Sequence, residues 1–324
     1  MNARTARQWM VTHEWMVKPM AQTEWIQGKG LLVWLAEVFS ALGTGLYLVS
    51  LFFALQEEFA LTAFWAGVFG WIMIAVFKLP LHLAYLGKPL RFWRSFPPFS
   101  KAWRTSWMAR GIVFTMIFLA FGAVQLVLQG LIAYNVVDAA SGVMAANYVF
   151  MVIAGVFCVM TAVYCGFAMS YCKSVPFWNT GLLPIVFLFM GIADGLALIM
   201  GVGLVTGQDV IATAESATRI MLIINSLLIL AYLVNANYQS ATAELSVRAL
   251  IRGPLAWVFW LGIVTLGIVV PLGISIASYF TAQEAATGLL IFAIICHTIG
   301  AFSLKYGVLK VGIYRPLLPK AHAY

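Results

Sequence analysis

Along the chain, long apolar runs alternate with short clusters of charge, proline and glycine, and eight of the runs exceed the roughly 18 to 20 residues that a helix needs to cross a bilayer. They predict helices at Leu31 to Leu55, Thr62 to Leu86, Trp107 to Gly130, Ala145 to Tyr171, Phe177 to Val205, Ala217 to Gln239, Leu255 to Phe280 and Ala285 to Val308. The expected fold class is therefore an all-α membrane protein with eight transmembrane helices, an even number that permits two four-helix bundles. Residues 1–30 read as an interfacial N-terminal segment and residues 31–309 as the transmembrane domain. That domain carries a basic, aromatic loop at 87–106, and residues 310–324 form a tail. The first segment holds Arg4, Arg7, Lys18 and Lys29 with three tryptophans and no apolar core, so it does not read as a cleavable signal peptide. No connection is long enough for a soluble domain, and soluble chemistry is expected from partners.

Composition supports the pattern. Of 324 residues, 63% are hydrophobic and 9% charged, against about 25% charged in a soluble domain. The net charge of +8 would suggest nucleic acid in a soluble chain. Here the basic residues lie in the connections, where membrane topology accounts for them and no nucleic-acid partner is expected. Sixteen Lys and Arg residues fall on the side of the termini and Arg219 alone on the other, which instead holds Glu57, Glu58, Asp138, Asp209, Glu215 and Glu284. Positive loops resist translocation. Both termini and the 87–106 loop are accordingly expected in the cytoplasm, in a cell inner membrane.

An ionisable group at membrane depth costs several kcal/mol unless paired or wetted, so each one asks for a reason. Glu37, Lys78, His82, Asp194 and His297 stand out. Glu37 lies about 10 Å inside the first helix, where a carboxylate is suited to exchanging a proton at a quinol head group. Its alternative is a structural pairing with Lys78 at similar depth. His82, near the end of the second helix, is either a hydrogen-bonding residue or a ligand contact. Asp194 and His297 lie near mid-helix and fit a proton path, with Lys78, or a buried polar pair.

His82 and His297 differ in depth by roughly 10 Å, which argues against a shared haem. Cys158, Cys165 and Cys172 recur every seven residues, roughly 10 Å apart on one helix face, too far for a common metal. No haem and no metal of its own is expected. Two other classes stay open: a secondary transporter in which Lys78, Asp194 and His297 bind a solute or proton, and a purely structural anchor.

Two stretches are more specific than composition. One is Tyr85-Leu86-Gly87-Lys88-Pro89-Leu90-Arg91-Phe92-Trp93-Arg94, followed by Ser106-Trp107-Met108-Ala109-Arg110-Gly111. The other is Tyr164-Cys165-Gly166-Phe167, followed by Pro176-Phe177-Trp178-Asn179-Thr180-Gly181-Leu182-Leu183-Pro184. Together they resemble the NrfD/PsrC family, the integral membrane subunits of polysulfide-reductase-like complexes.

The resemblance implies an eight-helix subunit without haem that exchanges electrons and protons with a quinone, menaquinone or ubiquinone. It also implies a docked ferredoxin-like subunit carrying four-iron clusters, often completed by a molybdopterin catalytic subunit. By this resemblance Tyr164 corresponds to the quinone-pocket tyrosine of the fourth helix. Glu37 falls near a family histidine of the first, and His82 joins them as a further quinone contact. Lys88, Arg91, Arg94, Lys101 and Arg104 of the basic loop, interleaved with aromatic residues, fit both an anchor to anionic lipid and a docking surface for the iron-sulfur partner. Several relatives carry their catalytic subunits outside the membrane, whereas the charge count here places the docking face inside.

Overall fold

The computed structural model describes residues 19–96, 100–137, 142–281 and 286–316. Among the described residues eight helices are long and apolar enough to cross a membrane: α1 Gly30–Phe53, α2 Glu57–Tyr85, α3 Trp107–Ala133, α4 Gly142–Ser170, α5 Leu182–Thr206, α6 Ile211–Gln239, α7 Val258–Thr281 and α8 Thr287–Lys310. Each matches a predicted run, with two informative shifts at the ends. The fifth helix starts at Leu182 rather than Phe177, because residues 175–180 form successive turns, with Trp178 N–H donating to the Val175 carbonyl at 3.0 Å. The sixth starts at Ile211 rather than Ala217, since Glu215 and Arg219 pair one turn apart at 3.8 Å and let a charged turn continue the helix.

Successive spans alternate in direction. One end of the bundle, the basic end, carries Lys88, Arg91, Arg94, Lys173 and Arg315; the other, the acidic end, carries Glu57, Glu58 and Asp209. α1 is the most enclosed span. It packs against α2, α4, α5 and α8, while α3 packs on α4 and α7 on α8. Lipid offers no hydrophobic drive for helix association, so close backbone approach carries much of the packing. At the α1–α5 crossing a Cβ on Gly45 would lie 1.7 Å from the Gly191 carbonyl oxygen, and one on Gly195 would lie 2.3 Å from the Gly45 carbonyl.

Two spans widen to π-helix just ahead of a proline. Residues Met73–Lys78 precede Pro80 in α2, and Val258–Val269 precede Pro271 in α7. A proline has no N–H for the carbonyl one turn back and its ring crowds that carbonyl, so the helix loosens. Gly267 lies in this widened stretch, four residues before Pro271.

At the basic end, β1 (Met20–Ala21) pairs antiparallel with β2 (Ile313–Tyr314). The carbonyls at the end of α8 need partners from outside the helix. Gln22 Nε2 donates to the Leu309 carbonyl and Trp178 Nε1 to that of Val308 at 2.8 Å. Trp25 stacks near Trp178 with ring centroids 5.3 Å apart. A short surface helix, Ala241–Ile251, is capped by Ser240, whose hydroxyl accepts from Ala243 N–H. These contacts fix the last turns of α8, where Lys305 lies.

Candidate functional site

Glu37 on α1, Lys78 on α2 and Tyr164 on α4 each sit six or seven residues from the basic end of their helix, which puts all three at about 10 Å depth. All three are buried, with exposures of 3%, 2% and 1%. The Tyr164 hydroxyl donates to Glu37 Oε1 at 3.4 Å, a long bond by the usual standard. Lys78 Nζ lies 4.7 Å from the centroid of the Tyr164 ring and donates to Thr115 Oγ1 at 2.7 Å. Thr115 in turn donates to the Gly111 carbonyl at 2.8 Å. Gly111 makes the arrangement sterically possible, for a Cβ there would stand 2.2 Å from Tyr164 Cδ2.

His82 completes the cluster from the last turn of α2. Its ring meets that of Tyr164 edge-on at 6.4 Å, and its Nδ1 is buried with no hydrogen-bond partner in the protein. Buried polar atoms are satisfied in the great majority of cases, so this nitrogen is an open position for a polar ligand atom. Glu37, Tyr164, Lys78 and His82 thus come together in one cluster.

Asp194 and His297 form a separate pair near the bilayer middle. Asp194 Oδ1 lies 3.0 Å from His297 Nε2, both side chains being almost fully buried. His297 Nδ1 lies 3.0 Å from the carbonyl of Gly267, in the π-helical stretch ahead of Pro271. A carbonyl can only accept, so Nδ1 carries hydrogen and the Asp194 side of the ring holds the exchangeable position.

Lys305 on α8 is missing from the residues singled out from the sequence. It is 3% exposed, with Nζ 3.2 Å from the centroid of the Phe187 ring. The charges of Glu37 and of Asp194 both act on its ammonium. The rule that selected Lys78, an ionisable group inside an apolar run, selects Lys305 as well.

Beside the first cluster, an apolar groove of about 610 Å³ runs between α1, α5, α7 and α8. Trp34, Trp257, Ile299, Phe302 and Tyr306 are among its walls. Trp34 lies one turn from Glu37 and donates its indole N–H to the Phe302 carbonyl at 3.1 Å, and Tyr306 adjoins Lys305.

On the surface of the basic end, Lys88, Arg91, Arg94, Lys101 and Arg104 are all exposed. Arg110 is different. It donates to the Trp103 and Arg104 carbonyls and lies 4.6 Å from the Trp107 ring, which ties the loop down to α3. Pro97, Pro98 and Phe99 lie outside the described residues. Cys158, Cys165 and Cys296 are free and buried within spans, and Cys172 is free and half-buried beyond the end of α4. Among the described residues no group of three His, Cys, Asp or Glu is placed to hold a metal ion.

The polysulphide reductase family NrfD matches residues 81–316 of the chain. The C subunit of the polysulfide reductase of Wolinella succinogenes is 27% identical over 145 residues, covering 43% of this chain and 45% of that protein. The chain thus matches a little under half the length of this curated relative.

Proposed function

Because the chain belongs to the NrfD polysulphide reductase family, we propose that it is the quinone-reactive membrane subunit of a multi-subunit oxidoreductase, with the pocket formed by Glu37, Tyr164, Lys78 and His82. The observation that carries this reading is the meeting at one shallow depth of a carboxylate, a phenol and an unpartnered imidazole nitrogen. A quinone, when bound, supplies two-electron, two-proton chemistry and presents two carbonyl oxygens for polar groups to hold. Tyr164, with its hydroxyl turned from Glu37, would donate to one oxygen, and His82 through Nδ1 would hold the other. Glu37 takes up or gives the proton. Lys78 offsets the carboxylate charge and, through its contact with the Tyr164 ring, keeps that side chain in place. The apolar groove beside Trp34 suits an isoprenoid tail.

In the same reading, electrons pass between this pocket and a four-iron cluster in a ferredoxin-like subunit. That subunit docks on Lys88, Arg91, Arg94, Lys101 and Arg104, and a molybdopterin subunit completes the assembly. The positive charge of the basic end supports a cytoplasmic side for that end, both termini and the partners. Tyr164→Phe and Glu37→Gln test the pocket. Each is expected to lower quinone-linked turnover of the complex at least tenfold while activity with a soluble artificial dye stays at the wild-type level. Unchanged quinone-linked rates in both variants would remove the assignment.

A further inference from the structure

The acidic end of the bundle carries a pocket of its own, of about 410 Å³, enclosed by the ends of α1 and α3, the first turns of α2 and α4 and the turn between α5 and α6. In a chain that is 63% hydrophobic, much of its wall is polar: Glu57, Gln129, Asn135, Asn147, Tyr148 and Gln208. Among the described residues no Lys or Arg lines it. Glu57 is exposed, Glu58 follows it, and Asp209 follows Gln208. The mouth is therefore negative and favours a cation.

The floor is built differently. Gln129 and Asn147 are each 3% exposed, and polar groups at that depth need partners. Tyr47 donates its hydroxyl to Gln125 Oε1 at 2.9 Å, Gln125 Nε2 donates to Asn147 Oδ1 at 3.3 Å, and Asn147 Nδ2 donates to Gln129 Oε1 at 2.9 Å. Every amide oxygen of this ladder is taken from the side of the core, so the ladder ends at the pocket with the Gln129 amide nitrogen, a donor. The pocket offers N–H groups at its floor and a carboxylate at its mouth.

Leu61 of the pocket also walls an apolar groove of about 660 Å³ between α2 and α5. On α2 the groove is lined at every fourth residue, by Leu61, Trp65, Phe69 and Met73, and on α5 by Val202 and Val205 among others. From Leu61 to Met73 the helix rises about 18 Å, close to the roughly 15 Å that one leaflet contributes to the hydrocarbon layer. At the junction Thr62 and Thr206 share a hydrogen bond of 2.5 Å, and Thr62 N–H donates to Gln208 Oε1 at 2.8 Å. A polar chamber that shares a wall with an apolar groove one leaflet deep fits an amphiphile better than a solute.

We propose that pocket and groove together bind one phospholipid of the leaflet at the acidic end, with a zwitterionic head group that ends in a primary ammonium, as in phosphatidylethanolamine. The ammonium pairs with Glu57, the phosphodiester oxygens accept from the Gln129 and Asn147 amides, and one acyl chain lies in the groove. Charge sets the selectivity. The phosphate of an anionic lipid such as phosphatidylglycerol would face Glu57 with no basic side chain on the wall to offset it, and is disfavoured. A choline head group keeps the positive charge but has no N–H for the carboxylate, and ranks between the two. A quinone brings carbonyl acceptors without a cation and leaves Glu57 unused. Nothing in this site depends on the assignment of Glu37.

The test is native mass spectrometry of the full chain, released from detergent micelles after equilibration with equal amounts of dioleoyl phosphatidylethanolamine, phosphatidylcholine and phosphatidylglycerol. The wild-type chain is expected to retain phosphatidylethanolamine at least tenfold over phosphatidylglycerol, the scale of one hydrogen bond to a charged group. Glu57→Gln is expected to remove most of that preference. Val205→Trp fills the groove from a position that is 88% exposed, and is expected to lower retention of all three lipids. Both substitutions fall on exposed residues and leave the packed bundle intact. Glycerophosphoethanolamine, the head group without its chains, is expected not to displace the lipid; displacement would make the pocket a solute site and overturn the proposal. Equal retention of the ethanolamine and glycerol lipids by the wild type, an unchanged preference in Glu57→Gln, unchanged retention in Val205→Trp, or a quinone held in place of phospholipid would each overturn it as well.

Discussion

His297 is held to Gly267 by a 3.0 Å hydrogen bond from its Nδ1 to the main-chain carbonyl. The bond lies just ahead of Pro271, where the π-helical stretch of α7 ends. A break in one helix thereby sets the tautomer of a residue on its neighbour and aims Nε2 at Asp194. Sequence, helix geometry and proton chemistry meet at this point.

The pair yields a stability prediction. Removing one partner of a buried ion pair strands the other and costs about 3–5 kcal/mol, whereas replacing both by apolar groups is often near neutral. His297→Leu alone, or Asp194→Leu alone, is expected to lower stability by that amount, and the double variant to recover most of it. The remaining deficit reflects the Gly267 carbonyl, about 1–3 kcal/mol. A double-mutant cycle from unfolding in mixed micelles measures the coupling; additive single effects would show that the two residues do not interact.

The glycines at the α1–α5 crossing give a second prediction. A methyl group on Gly45 or Gly195 meets main-chain atoms at 1.7 to 2.3 Å, and neither helix can relieve this by turning a side chain. Gly45→Ala and Gly195→Ala are expected to destabilise the protein by about 1–3 kcal/mol or more. Gly201→Ala on the same α5 meets only Ile294 Cδ1 at 3.8 Å and is expected to be near neutral. Thermal unfolding of the three variants in one detergent makes the comparison.

Gly111→Ala acts on the pocket without changing any group in it. The added carbon stands 2.2 to 2.5 Å from three atoms of the Tyr164 ring, so the ring must move relative to Glu37 and Lys78. The expected result is a loss of quinone-linked turnover comparable to Tyr164→Phe, with dye-linked activity retained. A variant as active as wild type would mean that the position of the Tyr164 ring has no part in quinone chemistry.

Much of this architecture is legible in the sequence, because an apolar run longer than 20 residues has few alternatives to a membrane span. The common depth of Glu37 and Tyr164 is legible for the same reason: helix ends fix depth, and depth needs only residue counts. Azimuth does not follow from counting. Nothing in the chain indicates that Gly111 faces the Tyr164 ring or that Thr115 receives the Lys78 ammonium, since both depend on how each helix is rotated about its axis. Phe177 and Trp178 read as the start of a span because they are apolar. They instead fill the core beneath the basic end, where Trp178 caps α8. Pro80 and Pro271 are visible as helix breakers, but the π-helical widening before each is a response of the packed bundle.

The topology is tested by thiol labelling at two exposed sites at opposite ends of the bundle. Lys173 follows α4 at the basic end, and Val136, 67% exposed, follows α3 at the acidic end. If the basic end is cytoplasmic, a membrane-impermeant maleimide is expected to label Lys173→Cys in inverted vesicles and not in intact spheroplasts, and Val136→Cys in the reverse pattern. The native Cys172 next to the first site is a slow background, because burial raises its thiol above the usual range and the thiolate is the reactive form. Little of it is ionised at neutral pH, so its labelling should be weak there and rise as the medium is made alkaline. Labelling of Lys173→Cys from outside the cell would move the basic end, and the docking proposed for it, to the other side of the membrane.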